Sequence, residues 1–149
     1  MGSLTNLIKW GCFNQINETE MMIMGYVRTN IELSNPREKG IGALVVDSLV
    51  DTGALRLCIP EHIKIQLKLE ELEKREITTA DGKKQLVPYV GPVLIKFKNR
   101  SCFVGALMLG DEVLLGAVPM EDMDLIVSPA HKMVIVNPES PNFPHALVK

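Results

Sequence analysis

Asp51 stands where chemistry would be easiest to perform. It ends an apolar, strand-forming run, Leu49-Val50, and Thr52, Gly53 and Ala54 follow it directly. A carboxylate so placed can act as a general base toward water. Thr52 can offer its hydroxyl to a neighbouring backbone group. Gly53 lets the chain turn sharply or lets another backbone come close. Taken alone, the four residues are more simply an Asx-type turn after a strand. No motif suggests a Ser-His or Cys-His pair that could supply a different nucleophile.

The other reactive side chains form no competing constellation. Cys12, Cys58 and Cys102 are an odd number without metal-like spacing, as expected of reduced thiols in a cytoplasmic protein. His62, His131 and His145 are scattered, and His62 reads as a surface or helix-start residue. Glu121 to Asp124 is acid-rich, but acids in a first helical turn are ordinary, and no metal or cofactor is expected. Asp47 shares the strand face of Leu49 and Asp51 and reads as a hydrogen-bonded edge residue. Asp47 and Asp51 are also four apart, not the close spacing of a phosphoryl-transfer site, and the alternating strand–helix pattern expected there is absent.

The elements around Asp51 are mostly strands. The chain has 149 residues, 46% hydrophobic and 23% charged, with net charge −2, which suits one packed domain and gives no basic footprint for nucleic acid. Asn14, Gln15 and Asn17 interrupt the early apolar residues, which argues against a signal peptide or membrane span. Residues 1–24 are expected to be an amino-terminal extension, 25–138 the functional domain, and 139–149 a loose, Pro-rich tail. Within the domain, "YVRTNIEL" alternates as a half-buried strand and "IGALVVDSLV" reads as a more buried partner leading into Asp51. "LRLCIP" is a short strand stopped by Pro60, and "EHIKIQLKLEELEK" predicts a short helix or two turns. Asp81-Gly82 between extended arms is a strong hairpin signal. "SCFVGALML" and the run ending at Gly116 are further strands, "PMEDM" is a short helix, and "DLIVSPAHKMVIVNP" is a closing hairpin. The expected class is all-β or mostly β, many short strands in a closed or sandwich-like architecture with one or two short helices.

In order, these features resemble the retropepsin-like (retroviral-type) aspartic protease family, as a cellular or bacterial type of member. The resemblance runs from about Tyr26 to Pro138. It rests on the hairpin into "LVDTGA", the strand "LRLCIP", the flap-like "ITTADGKKQLVPYVGPV" and the apolar-apolar-Gly element "VLLG". It implies an acid-protease-like barrel with a flap hairpin, and an endopeptidase that activates water between two carboxyls. Two carboxyls forced together share one proton and titrate as a pair. One chain holds one Asp-Thr-Gly, so the resemblance implies a homodimer with Asp51 of each copy at its axis. It makes Asp51 catalytic and Thr52, Gly53 and Ala54 the active-site loop. It places Ala80, Asp81 and Gly82 in the flap over a peptide or protein substrate. Leu114, Leu115 and Gly116 would support the loop, with Leu114 toward a substrate pocket. Leu55 and Ala117 stand where many retroviral members carry Asp and Arg, so the ion pair that orients the loop there is missing. The alternative reading is a non-catalytic peptide-binding or dimerisation module of the same fold.

Overall fold

The computed structural model of the chain describes residues 27–79 and 81–148. The expected extension at residues 1–24 and Ala80, expected in a flap, therefore lie outside the described residues.

Strand β1 (Arg28–Ser34) pairs antiparallel with β2 (Leu44–Val50), as the alternation predicts. Ile31 and Leu33 point inward at 1% and 0% exposure, while Asn30 and Glu32, at the alternate positions, face water. β2 is less buried than expected: Ser48 to Val50 are covered, but Val45 is 66% exposed. The reason is the face: Val45 lies opposite the exposed Glu32 and points outward with it. β7 (Val113–Leu115) is only three residues long and pairs with Ser48 to Val50.

β7 lies between β2, to which it is parallel, and β3 (Leu57–Ile59), to which it is antiparallel. β3 runs parallel to β6 (Arg100–Met108), and β6 pairs antiparallel with the long β5 (Lys84–Phe97). The far end of β5 returns to β1, with Glu32 opposite Lys96. The order β1-β2-β7-β3-β6-β5 thus closes on itself as a six-stranded barrel. Closure removes the open edges that a flat sheet would expose. Ile31, Leu33, Leu57, Ile59, Ile95 and Leu115 fill its centre at 1% exposure or less. Each such burial contributes roughly 1.5–3 kcal/mol.

β4 (Glu70–Thr78) stands outside the barrel and pairs with the first part of β5, forming the hairpin expected around Asp81-Gly82. Here the structure corrects one expectation. The helix α1 (Glu61–Gln66) stops well short of Lys74. Leu67 is buried at its end, Lys68 takes a left-handed φ of 51°, and Glu70 already begins β4. The buried Asn35 donates from Nδ2 to the Leu67 and Lys68 carbonyls at 2.9 and 3.1 Å, satisfying groups that the ended helix leaves open. Glu70 to Lys74 are exposed, so helix-favouring side chains there yield to the backbone pairing with β5.

After β7 comes α2 (Ala117–Asp122), with Pro119 in its first turn. β8 (Leu125–Ser128) and β9 (Met133–Val136) form a separate two-stranded hairpin, as predicted. The following residues have no helix or strand, and hydrogen bonds hold them between Asn137 and His145. Asp124 accepts from the Ser140 hydroxyl, from the His145 amide at 2.9 Å and from Asn137 Nδ2 at 3.1 Å. Arg100 donates to the Ser140 carbonyl, and Asn99 donates to that of Pro141 at 3.0 Å. The three bonds to Asp124 hold its carboxyl down at about 2, with the Ser140 hydroxyl the largest cause. No described helix is long and apolar enough to cross a membrane.

Candidate active site

The site is built where β2 hands the chain to β3. These strands flank β7, so residues 51–56 must pass over the carboxyl end of β7. That crossing is hydrogen-bonded on both sides. The Asp51 amide donates to the Leu115 carbonyl at 3.0 Å, and the Ala54 amide donates to the Asp51 carbonyl at 3.0 Å. The Ala117 and Val118 amides donate to the Ala54 and Leu55 carbonyls, each at 2.8 Å. Gly116 lies so close beneath the loop that a Cβ there would collide with the backbone of Arg56 and Ala54. Leu115 is fully buried. The loop and the Leu115-Gly116 element therefore meet as one unit.

Asp51 is 0% exposed. Its Oδ1 accepts from the Gly53 amide at 2.9 Å, an Asx-type turn as the local sequence allows. Its Oδ2 is buried without a hydrogen-bond partner among the described residues. Burial pushes the carboxyl up to about 6, and the Gly53 and Ala54 amides offset only part of that rise. A carboxyl in that range can hold or release a proton near neutrality.

Thr52 is half-buried, and Gly53 and Ala54 are buried. Leu114 packs with a small apolar cluster of Cys58, Ile77, Val87 and Leu107, which brings the turn-proximal part of the β4–β5 hairpin against β7. Burial, and then the neighbouring Asp51, push the Cys58 thiol up to about 12, so it is not a nucleophile near pH 7. At the hairpin tip, Gly82 has φ 86° and donates its amide to the Thr79 carbonyl at 2.9 Å. Asp81 accepts from the Thr79 hydroxyl and, at 3.2 Å, from the Lys83 amide, which hold its carboxyl below the usual range. Asp81 thus serves the turn itself, and no described hydrogen bond joins the tip to the Asp51 loop.

The remaining acids lie elsewhere. Asp47 is an exposed partner of Arg28 at 2.6 Å, and Arg28 also reaches Glu112 at 3.0 Å. His62 is exposed. Among the described residues no three His, Cys, Asp or Glu side chains gather as metal ligands.

Sequence reasoning passed over one neighbour of the loop. Arg56 interrupts an otherwise apolar strand entry and lines a cavity of about 270 Å³ with Leu57, Tyr89, Phe103, Val118 and Pro119. A charge inside "LRLCIP" was the available signal.

No family model matches the chain, and no curated protein matches it. Among solved structures it is similar to the solution structure of simian foamy virus (mac) protease. That match has 21% identity, covers 62% of this chain and 91% of that one, and has a TM-score of 0.40.

Proposed function

We propose that the chain is the subunit of a homodimeric aspartic endopeptidase, with Asp51 of each copy as its catalytic carboxyl. The observation that carries this reading is the Asp51 carboxyl: wholly buried, one oxygen without a partner, and raised to about 6. A buried polar oxygen without a partner costs about 1–3 kcal/mol, so its retention calls for a use. A second Asp51 would supply the missing partner. With one proton shared between the two, the ionised carboxyl takes a proton from water as the water attacks the peptide carbonyl. The protonated carboxyl polarises that carbonyl, and a proton then passes to the leaving nitrogen. Thr52 would brace the paired loops, and the hairpin through Asp81-Gly82 would close over the peptide and exclude water. Leu115 and Gly116 would hold the loop from beneath.

Because Asp51 is fully covered in the single chain, a second copy and water reach it only after local movement. The same burial favours a second reading, a non-catalytic peptide-binding or dimerisation module. Peptide cleavage by wild type and Asp51→Asn, together with sedimentation across a concentration range, separates the two. The proposal expects a dimer whose cleavage is abolished by Asp51→Asn with the fold intact. Equal cleavage by both proteins under acidic conditions, or a strict monomer at high concentration, overturns it.

A further inference from the structure

The cavity beside the Asp51 loop carries a charge that its surroundings leave uncompensated. Arg56 is half-buried, and no carboxylate among the described residues lies within ion-pairing reach of it. Its guanidinium faces the Tyr89 ring, 5.8 Å from the centroid. The second cation at that ring, Arg75, lies 4.1 Å from the centroid and is already paired with Glu73. Tyr89 in turn packs on Gly105, where a Cβ would strike the ring, so the cavity floor is fixed in place. The rest of the wall is apolar: Leu57, Pro119, and the exposed Phe103 and Val118, at 65% and 37%. An apolar wall ending at one unpaired guanidinium suits a ligand with a short hydrocarbon stem and a carboxylate head.

The cavity is tied to the loop. Val118, in its wall, donates its amide to the Leu55 carbonyl, and Arg56 is the next residue. Arg56 is five positions on from Asp51 in the chain, a span of at most about 18 Å. An extended peptide advances about 3.3 Å per residue, so the cavity lies within about five residues of a bond held at Asp51.

We propose that this cavity is a specificity subsite in which Arg56 selects peptides bearing a glutamate near, but not at, the bond that is cut. The inference rests on the endopeptidase reading for its meaning, but its binding half can be tested separately. In the wild-type dimer, a mixed peptide library locates the cleaved bonds. Matched peptides then carry Glu, Gln or Lys at each position within about five residues of the bond. At one position Glu exceeds Lys by about tenfold or more in kcat/KM, chiefly through KM, and added salt narrows the gap. Arg56→Glu reverses the order, and Arg56→Lys keeps it, which separates loss of charge from loss of fold. Separately, fluorescein-labelled Glu-containing and Lys-containing peptide pools are titrated by anisotropy into the Asp51→Asn chain with Arg56 or Glu at position 56. Arg56-dependent retention of the Glu pool without any cleavage supports the subsite while the endopeptidase reading fails. Cleavage with no position favouring Glu, or a Glu preference that survives Arg56→Glu, overturns the subsite alone. Absence of both cleavage and Arg56-dependent binding overturns both.

Discussion

Asp51 makes stability depend on pH in a direction opposite to that of most carboxylates. Its folded-state value rises from 3.8 to about 6, chiefly because burial disfavours the charged form. A group raised on folding adds stability that is fully present below its unfolded value and is lost as pH rises through its folded value. Between pH 4 and 6 the ionising carboxyl should therefore destabilise the wild-type chain by about 1.4 kcal/mol per pH unit, reaching about 3 kcal/mol by pH 7. Asp51→Asn removes the titration and keeps a similar shape, with the Asn side-chain oxygen able to accept from Gly53. Urea unfolding of both proteins from pH 4 to 7.5, at concentrations too low for association, gives the difference at each pH. Taking the difference cancels all other titrations, including that of Asp124. The variant gains on wild type as pH rises to about 6 and then holds its gain. Added protein alters this pattern if two Asp51 carboxyls pair, because a shared proton splits one transition into two. A difference that stays flat from pH 4 to 7 refutes the reasoning, for it would mean that the carboxyl is as well solvated folded as unfolded.

The remaining consequences concern the frame that carries the site. Gly116→Ala drives a methyl into the backbone of Arg56 and Ala54, which cannot swing aside as a side chain would, so urea unfolding should show a loss of about 1–3 kcal/mol or more. Gly42→Ala meets nothing within 4 Å and should change stability by no more than about 0.5 kcal/mol in the same assay. Asp124→Ala frees the segment from Asn137 to His145, and limited proteolysis there should quicken by roughly tenfold. Because the Asp124 carboxyl is held at about 2, wild type keeps this docking above pH 4 and loses it as pH falls toward 2.

The parts of this molecule that read correctly from sequence are those set by neighbours along the chain. The Asx turn at Asp51 needs only the carboxylate and the amide two residues on. The hairpin tip needs only a glycine able to reach positive φ after Asp81. Alternation over Asn30 to Leu33 marks a barrel face because side chains point to opposite sides in turn. The stretch Leu67 to Lys74 misled for the complementary reason. Its helix-favouring side chains carry small local preferences, and Asn35 and β5, both distant in sequence, outweigh them. The bonds at Ser140 and His145 were likewise not legible locally, since Asp124 and Arg100 reach them from other elements.

By itself, then, the sequence determined a mostly β chain with a carboxylate at the end of a strand, followed by a turn that presents it. It could not determine what covers that carboxylate. Only the tertiary structure, by setting β7 between β2 and β3, carries the loop across Gly116 and closes Asp51 off from water. Desolvation depends on everything that surrounds a group in space, and strand order decides those surroundings. Arg56 makes the same point: its place in the chain was plain, but its lining of a cavity, with no ion-pair partner among the described residues, follows from how β5, β6 and α2 come together.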